Sequence, residues 1–135
     1  MNGFVDANST AKIFDNNQYG FAAYFSYPKM TGIAGKPPGP SNLFVYLDEN
    51  GDTLDDAWFI TYVTSTAQWF NLVGSYHNNS SAFCFADGHS EIHRWHDPKT
   101  IHPVTKTYIS GPIASIFSPN STDIQWINSH ATAHQ

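Results

Sequence analysis

Apolar and polar residues along this chain fall into short runs of strand length, with a single helical stripe near the end. Leu43-Phe44-Val45-Tyr46-Leu47, within Asn42–Leu47, and Ala57-Trp58-Phe59-Ile60-Thr61-Tyr62-Val63 both have the β-branched and aromatic content of strands. The Gly-containing turn between them makes the pair a hairpin candidate. Tyr19–Tyr27 reads as another strand. Gly35-Lys36-Pro37-Pro38-Gly39-Pro40 reads as a rigid connector, since proline lacks an amide donor and restricts its predecessor. The clearest signal is a second hairpin: the apolar strand Ala82–Ala86, the two-residue turn Asp87-Gly88 and the return strand His89–Trp95. On the return strand His89, Glu91, His93 and Trp95 share one face, and Ser90, Ile92 and Arg94 share the other. Ser121, Thr122 or Asp123 can cap a helix over Ile124–Ala133, where Ile124, Ile127 and Ala131 recur at helical spacing. Strands followed by one late helix predict an α+β fold, dominated by an antiparallel sheet with a C-terminal helix.

Composition narrows the function classes. The 135 residues are expected to form one domain, with an irregular N-terminal part over 1–39. About two-thirds of the unfolded surface can be buried at this size, and 16% aromatic residues argue against disorder. Only 13% of residues are charged, against a usual ~25%, so Asn, Ser, Thr and Gly carry the polarity. A net charge of −5 and the lack of any basic run exclude a nucleic-acid partner, which needs a basic face. No apolar run approaches the ~20 residues of a membrane span. The first residues lack the charged and apolar regions of a signal peptide. Cys84 has no partner for an internal disulfide, and its apolar neighbours Ala82-Phe83 and Phe85-Ala86 predict a buried, inert thiol.

From His77 onward the chain carries a specific spacing. His77 is followed by nine residues and then Asp87-Gly88, in the context Ser75-Tyr76-His77-Asn78-Asn79 and Phe83-Cys84-Phe85-Ala86-Asp87-Gly88-His89. With Pro40–Glu49, Asp52–Asp56, Glu91–Trp95 and Asp123–Ile127, this ordered set resembles the prepilin-type processing-associated H-x9-DG domain, the C-terminal globular part of pseudopilin-like proteins. The resemblance covers 40–135. It implies an exported, periplasmic or cell-surface protein with a structural or secretion-related role, and partners among pilus or secretion-system components. Members of that family begin with a prepilin leader and a long apolar helix, neither of which occurs in this sequence.

Two clusters carry candidate chemistry. Asp48, Glu49, Asp52, Asp55 and Asp56 put five of eleven acids within nine positions. Like charges this close call for neutralisation, and hard oxygen ligands suit Ca²⁺ before Mg²⁺ or Zn²⁺. The spacing is not that of an EF-hand, because Gly51 is the fourth residue of the loop. Some pseudopilins carry a calcium-binding acidic loop just before a Trp, and Asp55-Asp56-Ala57-Trp58 is similar in outline. These five are the candidate metal ligands, against the alternative of a solvated turn that caps its own backbone. No organic cofactor is indicated.

Among the histidines, His89 and His93 lie about 13 Å apart along a strand, too far to share one zinc with ~2 Å bonds. His77 is expected near the Asp87-Gly88 turn, touching Asp87 or Glu49. The competing function is a small carboxylate- or metal-dependent hydrolase acting on polysaccharide. A glycosidase needs two carboxyl groups about 5–9.5 Å apart with separated pKa values, and Glu49, His77, Asp87 and Glu91 are its candidates. No Gly-x-Ser-x-Gly elbow points to a serine hydrolase. Convergence of these residues in a concave pocket favours an enzyme, and dispersal favours a structural domain.

Overall fold

Three strands and one amphipathic helix are the main regular elements among the described residues, which in this computed structural model are Phe25, Tyr27, 29–55, 58–61, 69–109 and 121–133. Strands β1 (Phe44–Leu47), β2 (Ser80–Phe85) and β3 (Ser90–Arg94) form an antiparallel sheet in the order β1-β2-β3. Helix α1 (Thr122–Ala131) follows near the C-terminus. The class is α+β, as the pattern predicts.

The β2–β3 hairpin forms, with Cys84 opposite Ser90, Phe83 opposite Glu91 and Ser81 opposite His93. Its loop is one residue longer than expected. Phe85 N donates to His89 O at 2.9 Å and Gly88 N to Phe85 O at 3.0 Å. Ala86-Asp87-Gly88 therefore forms a three-residue loop closed by Gly88 at φ +95°. That arrangement, a tight turn ending in a left-handed residue, is the common alternative to the two-residue hairpin.

Alternation along β2 sends Phe83 and Phe85 into the core and Cys84 out, so the thiol is exposed and the expectation of a buried cysteine is corrected. An apolar run suggests burial on both faces, but among the described residues only one face of this sheet is covered there.

β1 pairs with β2, Phe44 opposite Phe85 and Leu47 opposite Phe83, with an irregularity between Phe44 and Tyr46. Among the described residues, the expected hairpin of Asn42–Leu47 with Ala57–Val63 is not formed. Instead, the chain leaving β1 binds 71–74: Asn50 N donates to Leu72 O at 2.8 Å, and Glu49 bridges Val73. Of the expected second strand, 58–61 are described and make an isolated bridge, Thr61 to Trp69. The expected strand Tyr19–Tyr27 lies outside the described residues except at Phe25 and Tyr27. Phe25 N donates to Ala133 O at 3.0 Å, and the Tyr27 hydroxyl donates to Pro37 O.

Phe83 is the centre of the core. Its ring meets Trp126 at 5.0 Å, Phe44 at 5.6 Å and Trp95 at 6.0 Å, all edge to face, the preferred aromatic geometry. Ile124, Ile127 and Ala131 turn the expected stripe of α1 inward. Ser121 is the N-cap residue but makes no side-chain cap bond. The buried Asp123 in the first turn instead accepts from His96 N at 3.0 Å and Asp97 N at 2.8 Å, tying the chain after β3 to the helix.

Gly88→Val is expected to lower stability by about 1–2 kcal/mol, because a β-branched residue is strained at positive φ. Gly88→Asn, which tolerates that region, should lose less. Thermal melts compare the two, and a valine variant melting with the parent would contradict the turn.

Candidate functional site

The nine residues between His77 and Asp87 are a strand and its two turns. His77 N donates to Ser80 O at 3.2 Å at one end of β2, and Asp87 lies in the loop at the other. At the usual rise, the strand between them spans about 17 Å. The expectation that His77 sits by the Asp87-Gly88 turn is therefore corrected: it stands at the open end of the hairpin.

His77 does find an acid, but it is neither Asp87 nor Glu49. Its Nε2 lies 3.1 Å from Asp48 Oδ2, and the same oxygen accepts from Ala82 N at 3.1 Å. Both side chains are partly solvated, so the pair contributes little by charge alone. Its use is positional, because it fixes the start of the acidic loop against β2. At the far end Asp87 Oδ1 accepts from His89 N at 3.1 Å and lies 2.6 Å from His89 Nδ1. These bonds, the backbone one foremost, hold the Asp87 carboxyl below its usual range.

The remaining acids point apart. Glu49 Oε1 accepts from Asn71 Nδ2 at 2.9 Å and Thr53 Oγ1 at 3.2 Å. Burial raises the Glu49 carboxyl to about 7, against the lowering effect of those two donors. Asp52, 1% exposed, accepts from Thr105 N at 2.7 Å, Thr105 Oγ1 at 2.8 Å and Lys106 N at 2.8 Å. The Thr105 amide above all, with its hydroxyl and the Lys106 amide, holds Asp52 below the ordinary carboxylate range. Asp55 is exposed and accepts from the Tyr108 hydroxyl at 2.9 Å. Asp56 lies outside the described residues. Glu91 is exposed on β3.

The four described acids of the loop thus face four different sets of partners. A calcium cage needs six to eight oxygens converging on one point. Among the described residues no three His, Cys, Asp or Glu side chains are arranged to hold a metal ion. The catalytic candidates are likewise spread out: Glu49 near one end of β2, Asp87 at the other, Glu91 on β3 and His77 paired with Asp48.

Several residues that build this region carried no sequence signal. Asn71 joins Glu49 to Thr53 O and accepts from Ile60 N at 2.9 Å. Asn50 donates to His102 O at 2.8 Å and accepts from Asp52 N. Gly74 packs where a Cβ would lie 2.8 Å from the Tyr76 ring and 3.1 Å from Asp48 O. Its carbonyl accepts from Trp95 Nε1 at 2.9 Å and from the Ser81 hydroxyl.

A second group joins helix to sheet through rings. His93 stacks on Trp126 at 3.7 Å, and His130 stacks on Trp126 at 4.1 Å. His89 stacks on Phe85 at 4.4 Å. Burial pushes the His93 imidazolium below its usual pKa, opposed by the charges of Asp123 and Glu91. These imidazoles are packed on aromatic faces rather than on a common centre. Comparison with protein-family models, with curated proteins and with solved structures finds no match for this chain.

Two carboxyls give opposite pH signatures. Glu49 has a folded pKa raised to about 7 from 4.5, so the folded state holds more protons in that interval and stability falls as pH rises through it. Glu49→Gln keeps an oxygen acceptor, and at pH 8 it is expected to stabilise by roughly 1–2 kcal/mol after discounting for partial exposure. Asp52 has a depressed folded pKa, so its contribution is present above pH ~4 and lost as pH falls through the folded value. Asp52→Asn should lower the melting temperature by several degrees at pH 7 and flatten the acid limb. Melts of both variants across pH 3–8 check the signs, and a destabilised Glu49→Gln at pH 8 would contradict the first.

Proposed function

We propose that this chain is the globular domain of an exported, pseudopilin-like protein with a structural or secretion-related role at the cell surface. One observation carries the reading: His77 and Asp87-Gly88 stand at opposite ends of β2, each spent on bonds that frame the hairpin. A motif whose parts cannot meet around a substrate serves a framework better than a reaction. The scatter of Glu49, Glu91 and the loop carboxylates supports the same view. Pilus or secretion-system components are its natural partners. Ca²⁺ remains a ligand to be tested on the acidic loop.

Glu49 alone favours the second reading. A carboxyl held near pH 7 has the protonation state of a general acid, and Asp55 adds to the shift by its charge. This would make the chain a carboxylate-dependent hydrolase of polysaccharide. Against it, one Glu49 oxygen already accepts from both Thr53 and Asn71.

Fractionation of the source cells, with protease added outside, separates the readings at the level of place. The framework reading expects the protein in the periplasmic or surface fraction, and a cytosolic protein would overturn it. A reducing-end assay on a polysaccharide panel addresses chemistry, with parent and Glu49→Gln compared. The expected result is no release by either, and release lost in Glu49→Gln would establish the hydrolase instead.

A further inference from the structure

One tryptophan joins helix to sheet, and both of its faces are covered by titratable rings. His93 of β3 lies 3.7 Å from the Trp126 ring at 16°, and His130, one turn further along α1, lies 4.1 Å from it at 24°. Two rings stacked that closely on one indole would overlap if they shared a face, so they occupy opposite faces. Phe83 at 5.0 Å and Trp95 at 6.1 Å meet the same ring nearly perpendicular, at 71° and 75°. The buried stripe Ile124, Ile127 and Ala131 holds the helix on the core independently of this stack. The sandwich can therefore open without α1 leaving the core.

The surroundings of the two imidazoles differ. Among the described residues, the charged groups acting on His93 are Glu91 on its own strand, Asp123 and His130 on α1, and His96 on the chain beyond β3. β2 sets Ser81 opposite it, which does not titrate. Asp123 accepts from His96 N and Asp97 N, and Glu91 is exposed, so one acid is committed to amides and the other is screened by water. Against His130, β2 sets Phe85 at 6.0 Å, and His89 stacks on that ring beside Asp87. His130 Nδ1 lies 2.8 Å from Trp126 O, an acceptor, so Nδ1 carries a hydrogen. A second proton enters at Nε2 without breaking that bond. A cation on one indole face is attracted by the ring. Cations on both faces sit about 8 Å apart, close to the Debye length of ~8 Å at physiological salt, and a ring rather than water fills the gap. Burial already holds the stacked His93 below the usual histidine pKa. Opening therefore takes up a proton and is favoured as pH falls below about 6.5.

We propose that the His93–Trp126–His130 stack is a proton-operated latch between β3 and α1, closed while at most one imidazole is charged and opened, with His93 leaving the indole, when both are. His93 is half-buried, so its ring reaches solvent by turning about its own side-chain bonds. Opening uncovers one face of Trp126, an aromatic surface presented in acid and covered near neutral pH. The proposal does not depend on the pseudopilin reading, since it uses only the stack and its charges.

The test measures access of acrylamide to Trp126 between about pH 8 and pH 5, the span over which histidine charges, as the difference in fluorescence quenching between the parent and Trp126→Phe. In the parent, quenching of Trp126 is expected to rise severalfold toward the acid end while far-UV circular dichroism stays unchanged. His93→Phe keeps a stacked ring that cannot titrate, and His130→Phe removes the second charge. In both, quenching is expected to hold its alkaline value throughout. Glu49 titrates in the same interval and is kept in every variant, so a response arising there would survive in His93→Phe and would overturn the proposal. A parent whose quenching ignores pH would overturn it too, as would a rise accompanied by lost helix signal, the mark of general acid unfolding. Should a variant fail to fold, proton resonance of the parent still decides. The His93 Cε1 proton should lose the upfield shift of the indole face in the step in which the second imidazole takes up its proton. A His93 that keeps that shift with both rings protonated would mean a closed stack holding two cations, and would contradict the latch.

Discussion

β2 is held along both edges, and its length sets the spacing of most other contacts. The six residues of β2 lie between a polar anchor at His77 and a left-handed turn at Gly88. Between them Phe83 and Phe85 face the core, and β1 and β3 are aligned to those two rings. Inserting or removing one residue of β2 would exchange its core and solvent faces, which explains why a fixed interval matters more than any single side chain within it.

The acidic loop extends that logic to polar groups. Buried amides must be satisfied, and the chain around 96–106 has few regular partners of its own. Asp52 serves Thr105 and Lys106, Asp123 serves His96 and Asp97, and the Asn50 amide meets the His102 carbonyl. Carboxylates that receive several N–H donors have part of their charge offset by those bonds. The four described acids of the loop look in different directions, which lowers the repulsion among them.

Local pattern made the hairpin, the inward stripe of α1 and the α+β class legible. Ile124, Ile127 and Ala131 were placed by helical spacing, and His93 and Trp95 by strand alternation. Non-local pairing was not legible. Nothing near β1 announces that its partner lies more than thirty residues on, and an intervening apolar run offered a closer but unused mate. Cys84 was misplaced because an unbroken apolar run resembles a strand covered on both faces. The Asp48 partner of His77 could not be read either, since a hydrogen-bonded pair separated by 29 residues leaves no local trace. The same holds for Asn71, whose amide is ordinary in the sequence and central to the Glu49 environment.

The claim that His77 and Asp87 are separate framework anchors is tested most directly by a double-mutant cycle on stability. His77→Ala, Asp87→Ala and the double variant are unfolded in denaturant, alongside a matching cycle for His77 with Asp48. Sites at opposite ends of β2 should give additive losses, with a coupling for His77 and Asp87 within about 0.3–0.5 kcal/mol of zero. His77 and Asp48 should show a favourable coupling beyond that margin. A His77–Asp87 coupling of about 1 kcal/mol or more would mean that the two residues act on a shared contact, and it would contradict the account.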